Sequence, residues 1–291
     1  MAIAQPWFDK AAGGMPPQIW FAVSAVFHYL GPCFAVLLFP SIGVLGVAWL
    51  RIGSAALIFA PWTRPWRTMR LANPHDRLLL AMLGLCLAAM NCSFYLALDR
   101  LPVSLVAAVE FVGIIALALH GARSGRNLAA LSLAVAGVVL LIDVSWSSDP
   151  AGLLWAGLNG LLFVVYILLG HRLAQSGASD GVAGLGAAMS IAFVCVLPFG
   201  LTDVSAIAGQ PLLLLAGVGV GLCSSVVPYI CDQLAMARLP RASFALMLAL
   251  LPAVAALAGA AVLAQVPSAR DLSGIVLVMA GIALHRPPIA S

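Results

Sequence analysis

Met90–His120, MNCSFYLALDRLPVSLVAAVEFVGIIALALH, is the stretch from which the rest of the chain is read. Two apolar segments are joined by the short connector Asp99-Arg100-Leu101-Pro102, and each carries polar side chains that its surroundings do not explain: Asn91 and Tyr95 before the connector, Glu110 after it. A carboxylate in a run such as VAAVEFVGIIALAL costs about 2.5 to 3.5 kcal/mol at the centre of a membrane helix, so such a residue faces a protein interior or a water-filled cavity. Glu110 therefore points to a polar site inside a membrane.

Composition places the whole chain in that setting. Of 291 residues, 63% are hydrophobic and only 8% charged, with a mean hydropathy of +1.10, against roughly 25% charged residues in soluble domains. Runs such as LLLAMLGLCLAAM and LLLLAGVGVGLC are continuous, as in helical spans, and lack the alternation of barrel strands. The six cysteines (33, 86, 92, 195, 223 and 231) all lie in apolar segments without metal-ligand spacing and read as small hydrophobes. No metal or cofactor is expected, no nucleic-acid patch is visible, and no GxSxG, HExxH or Walker A motif suggests an enzyme. The N-terminal MAIAQPWFDKAAGGMPPQ lacks the three regions of a signal peptide and is expected to be a retained cytoplasmic tail.

Cutting at turn residues and charges predicts ten helical spans, at about 18–38, 42–62, 76–98, 102–121, 126–143, 151–172, 181–200, 211–236, 241–264 and 271–286. Basic residues set their orientation. With the N-terminus inside, Lys10, Arg64, Arg67, Arg70, Arg77, Arg123, Arg126, Arg172, Arg238, Arg241 and Arg286 are cytoplasmic, only Arg100 and Arg270 lie outside, and Arg51 sits within a helix. Both termini are then cytoplasmic, in a multi-pass protein of the inner membrane.

Tyr95-Leu-Ala-Leu-Asp-Arg-Leu-Pro102 aligns with Gln233-Leu-Ala-Met-Ala-Arg-Leu-Pro240, and Ala136-Gly137-Val138 echoes Ala280-Gly281-Ile282. Five helices thus repeat as five, and an odd number inverts the second copy. The expected organisation is a tail over residues 1–17, a first repeat over 18–143, an inverted repeat over 151–286, and a tail over 287–291. Inverted repeats are a hallmark of secondary transporters that work by alternating access, with the substrate near the midplane.

At a rise of about 1.5 Å per residue, His28 lies about 15 Å from the nearest predicted helix end, Arg51 about 14 Å, Asn91, Glu110 and Asn159 about 12 Å, and Tyr229 about 10 Å. Each has a structural alternative. Glu110 and Arg51 form a possible ion pair between helices, and Asn91 and Asn159 are possible interhelical hydrogen-bond partners. His28 and Tyr29 precede Gly31-Pro32 and are placed to satisfy carbonyls freed by the bend. Trp155, Tyr166, Tyr95 and Tyr229 suit packing or an interfacial belt, as do Trp20, Trp62, Trp66 and Trp146 at span ends. Asp232 lies near a helix end, and Gly217, Gly221 and Ser225 have the spacing of tight helix packing.

Arg51 within the second span, Asn91-x-x-Phe94-Tyr95-x-Ala97 with Leu101-Pro102, and Ala107-Ala108-Val109-Glu110-Phe111-x-Gly113 together resemble the drug/metabolite transporter superfamily. Within it they are similar to EamA-type amino-acid exporters of the threonine/homoserine and aromatic amino-acid groups. The resemblance implies ten helices in two inverted halves and export of neutral amino acids, aromatic ones foremost, from a central cavity. His28, Asn91, Tyr95, Glu110, Asn159 and Tyr229 are the expected substrate-binding residues. Arg51 is the structural or ion-pair candidate, and Pro32, Pro228 and Pro252 are the gate or kink positions. Phe94, Phe163 and Phe244 supply an apolar wall. Proline commonly follows the glycine of the last motif in these exporters, whereas this chain has Ile114 there and Pro252 at the corresponding place in the second half. The expected partners are an amino-acid substrate and the lipid bilayer, with a monomer as the working unit. The alternatives are a carrier of another small solute and a non-transporting membrane scaffold.

Overall fold

The structure, a computed structural model, describes residues 15–121, 124–141, 149–175, 181–236, 247 and 250–285. These residues form helices and short connectors: α1 (Pro17–Ile42), α2 (Val44–Thr63), α3 (Pro65–Leu71), α4 (Pro74–Leu98), α5 (Val103–Gly121), α6 (Gly125–Leu141), α7 (Pro150–Gln175), α8 (Gly181–Ala208), α9 (Pro211–Gly221), α10 (Val227–Met236), α11 (Leu251–Leu263) and α12 (Ala269–Leu284). A π-helical turn, Leu222–Val226, joins α9 to α10. Among the described residues, six helical segments are long and apolar enough to cross a bilayer, and Val103–Gly113, Gly125–Leu141 and Leu251–Leu263 are shorter apolar helices.

The starts of these helices follow from local chemistry. Pro17, Pro65, Pro74, Pro211 and Pro252 stand in first turns, where the missing N–H has no intrahelical acceptor to lose. Asn73 caps α4 by accepting from the Asp76 N–H at 2.8 Å, and Ser268 with Asp271 closes a reciprocal capping box on α12. α1 and α8 run further than expected, to Ile42 and Ala208, because neither Pro40 nor Pro198 ends its helix. Membrane helices tolerate such prolines when neighbouring groups satisfy the freed carbonyls. α3 has no counterpart among the expected spans. Of the span at 241–264, the structure describes Met247 and the residues from 250; Lys10, Arg123, Trp146, Arg238, Arg241, Phe244 and Arg286 lie outside the described residues.

The helices associate in a paired pattern. α6 packs along α12 and α2 along α8; α4 lies on α7, while α9, the π turn and α10 lie on α1. α4 also meets α8 as α9 meets α2, and α5 meets α7 as α11 meets α1. The α6–α12 contact brings two backbones together at glycines on both helices. A Cβ at Gly137 would stand 2.6 Å from the Gly274 oxygen and 2.9 Å from the Val278 nitrogen. One at Gly281 would stand 2.7 Å from the Ala130 oxygen and 3.0 Å from the Ala134 nitrogen. Only glycine allows this approach, which suits a bilayer, where dispersion between close backbones replaces the hydrophobic effect as the force joining helices.

At one end of the bundle, Arg100 in the α4–α5 turn forms an ion pair with Asp149 at the start of α7. Arg100 first, and then the Ala151 N–H at 2.9 Å, hold the Asp149 carboxyl below the usual carboxylate range.

Gly137→Ala and Gly281→Ala should each destabilise the protein by about 1 to 3 kcal/mol through overpacking. Gly170→Ala, whose added Cβ meets nothing within 4 Å, should not; unfolding midpoints in detergent give the comparison. Because the Asp149 pKa is lowered on folding, its stabilisation is present at neutral pH and lost as acidification passes from the ordinary carboxylate range to the lowered value. Unfolding midpoints of wild type and Asp149→Asn should therefore differ at pH 7 and converge at low pH; a gap that persists in acid contradicts this assignment.

Candidate substrate site

α2, α4, α5, α7 and the α9–α10 junction bring several of the expected residues to one place, around Arg51. Its Nε donates to the Ser225 hydroxyl at 3.2 Å and its Nη2 to the Ser224 carbonyl at 3.3 Å. The guanidinium carbon lies 5.3 Å from the Tyr95 ring centre and 5.9 Å from that of Phe94, within cation–π range. Both acceptors belong to the π turn, where the Val227 N–H reaches back five residues to the Leu222 carbonyl. Pro228 removes the α-helical competitor for the Ser224 carbonyl. In an α-helix that oxygen would accept from residue 228, and proline has no N–H to give. Gly31 lets α1 close on the same turn, since a Cβ there would come 2.7 Å from the Ser224 nitrogen.

Glu110 on α5 completes the charged centre. Arg51 and Asn159 both act on its carboxylate, and the carboxylate acts in turn on Tyr29. Arg51 and Glu110 nevertheless do not close an ion pair within 4.0 Å, as Arg100 and Asp149 do. Asn159 is 1% exposed, and although it adjoins Glu110, neither of its amide atoms completes a hydrogen bond of normal geometry. The Tyr95 hydroxyl, on a side chain with no exposed surface, is also unpartnered, as is the Ser224 hydroxyl. Arg51, Glu110 and His28 remain half-buried. His28 lies edge-on to Tyr29 at 5.2 Å and within the field of Arg51. Opposite charges held apart, with unused donors and acceptors beside them, form a site able to receive a small ligand bearing both charges.

Two expected residues have other surroundings. Asn91 donates its amide to the Leu87 carbonyl of its own helix at 2.8 Å. Tyr229 packs edge-on against Phe59 at 5.3 Å and neighbours Tyr166, which stacks on Phe163 at 6.0 Å. Pro32 lies inside α1, Pro228 follows the π turn and Pro252 sits in the first turn of α11. Ser224 and Ser225 were not expected as partners of Arg51; the available signal was a proline four residues after Ser224. A separate groove of about 460 Å³ between α5, α6 and α7 is lined by valines, Ala116, Leu161 and glycines. It offers nothing to a charged ligand, so the polar cluster, and not this groove, is the candidate site.

The chain matches no family model. It is 33% identical over 232 residues to the threonine/homoserine exporter RhtA of Salmonella typhimurium (strain SL1344), covering 79% of this chain and 77% of that protein. It is also 33% identical over 233 residues, with the same coverage, to the threonine/homoserine exporter RhtA of Escherichia coli (strain K12). A crystal structure that is 20% identical in sequence superposes with a TM-score of 0.56, covering 92% of this chain and 96% of that one, which is a likeness of fold. These relatives are exporters, and with the apolar helices they make this chain a multi-pass membrane transporter and not an enzyme. Identity of this extent establishes that the chain belongs to the EamA-type drug/metabolite transporter family, among the relatives of the threonine/homoserine exporter RhtA.

Proposed function

We propose that this protein exports neutral amino acids from the cytoplasm across the inner membrane, with Arg51 receiving the substrate carboxylate and Glu110 its ammonium. The observation that carries this reading is the separation of Arg51 and Glu110, half-buried and unbridged, beside the unpartnered amide of Asn159 and hydroxyl of Tyr95. A closed ion pair would neutralise itself, whereas a gap between opposite charges accommodates the two charges of an amino acid. His28 and Tyr29 border the same site.

Transport proceeds by alternating access between two inverted halves, residues 18–143 and 151–286, with both termini cytoplasmic. The exchange of contacts across α6 and α12 supports the inverted relation. Gly137 meets Gly274 and Val278 as Gly281 meets Ala130 and Ala134, and each of these counterparts is 144 positions from its partner. The paired helix contacts follow the same exchange. Each chain carries both halves, so a monomer is the working unit.

Small hydroxyl-bearing amino acids such as threonine are the favoured substrates, in line with what the relatives' names say of those proteins. An aromatic preference draws less support. Phe94 lies against Arg51 and Tyr95, Phe163 stacks on Tyr166, and Phe244 lies outside the described residues.

Purified protein in liposomes preloaded with unlabelled L-threonine should accumulate labelled L-threonine by counterflow. Arg51→Lys, which replaces a planar fork by a point charge, and Glu110→Gln should each reduce the rate by about tenfold or more, corresponding to about 1.4 kcal/mol. Flux in both variants equal to wild type would remove the pair from the binding site.

A further inference from the structure

The α9–α10 junction holds two of the three guanidinium nitrogens of Arg51 with acceptors from consecutive residues. A regular α-helix would engage the Ser224 carbonyl with the N–H of residue 228, and Pro228 removes that competitor. The intervening π turn, closed by the Val227 N–H on the Leu222 carbonyl, is a local widening of the kind often found at functional sites. Tyr95 and Phe94 face the guanidinium from α4, and Gly31 brings α1 against the backbone of Ser224. Arg51 is thereby restrained from α4 and from the junction against which α1 packs, while no described residue accepts a hydrogen bond from its Nη1. A long, flexible side chain receives a ligand well only when its geometry is set beforehand.

We propose that Ser225 and Pro228 are positioning residues that aim Arg51 at the substrate carboxylate: Pro228 dedicates the Ser224 carbonyl to Nη2, and Ser225 holds Nε. The inference rests on the reading of Arg51 as the carboxylate receptor. It goes beyond that reading by assigning a substrate-orienting role to a helix irregularity remote in sequence from Arg51. Pro228 then acts through a carbonyl it leaves free as well as through any bend it causes.

The test is L-threonine counterflow in liposomes, with KM and maximal rate determined for wild type, Ser225→Ala, Ser225→Thr, Pro228→Ala and Arg51→Lys, and Ser273→Ala as a control on exposed surface. L-threoninamide, which lacks the carboxylate, serves as a competitor. Ser225→Ala and Pro228→Ala should raise KM for threonine about tenfold, the worth of one hydrogen bond to a charged group, with maximal rate kept within about twofold. Inhibition by threoninamide should not change, and Ser225→Thr should restore KM. Unchanged KM in Ser225→Ala and Pro228→Ala, with Arg51→Lys impaired, overturns the positioning role and leaves Arg51 as receptor. Equal weakening of threonine and threoninamide makes both residues structural and overturns the proposal. An unaffected Arg51→Lys, or no threonine flux in wild type, removes the underlying reading as well. If Pro228→Ala shows no cooperative unfolding transition, the two Ser225 variants decide.

Discussion

A guanidinium and a carboxylate placed deep among apolar helices must find their partners within the protein, and this constraint governs the site. The bilayer hydrocarbon supplies no water to solvate them, so their partners come from the helices or from a cavity between them. Arg51 is provided for by a carbonyl that Pro228 sets free, a serine hydroxyl and two aromatic rings. Glu110 has less: Asn159 adjoins it without a completed hydrogen bond, and Arg51 acts on it from beyond ion-pair distance. On the proposed reading, this imbalance is what separates a receptive site from a structural ion pair.

The scaffold follows from the same solvent. Without a hydrophobic force between helices, association depends on close backbone approach, and the α6–α12 contact at Gly137, Gly274 and Gly281 achieves it on both partners. The helices that carry Arg51 and Tyr95 use the same means: a Cβ at Gly84 on α4 would stand 2.8 Å from the Ala188 oxygen of α8, and one at Gly221 on α9 would stand 2.9 Å from the Arg51 oxygen of α2. The aromatic group of Phe59, Tyr166 and Tyr229 is a second cluster apart from Arg51, joining α2, α7 and α10.

Much of this was legible in the sequence. Long apolar runs and prolines at their starts marked the helices, and the isolated charges Glu110 and Arg51 marked the residues around which the candidate site is built. The echo of Ala136-Gly137-Val138 in Ala280-Gly281-Ile282 fell on the two glycines that make equivalent contacts between α6 and α12. Rotational facing was not legible, because a helix apolar on all sides gives no periodicity by which to orient a polar residue. Asn91 and Tyr95 are one turn apart; the first turns its amide to Leu87 and the second lies beneath Arg51. Depth likewise could not show that Tyr229 belongs with Phe59. Ser224 escaped notice because its contribution is a backbone carbonyl, a group every residue has, and only the proline at 228 marks it as available.

The central claim is that Arg51 and Glu110 hold the two charges of an amino acid between them. The measurement that tests it most directly is an experimental structure of the protein with L-threonine bound. The account predicts the threonine carboxylate within hydrogen-bond distance of Arg51 Nη1 and its ammonium within reach of Glu110 and Asn159, with Nε and Nη2 still on Ser225 and Ser224. Threonine bound elsewhere, or Arg51 closed directly onto Glu110 with the ligand in place, would contradict it.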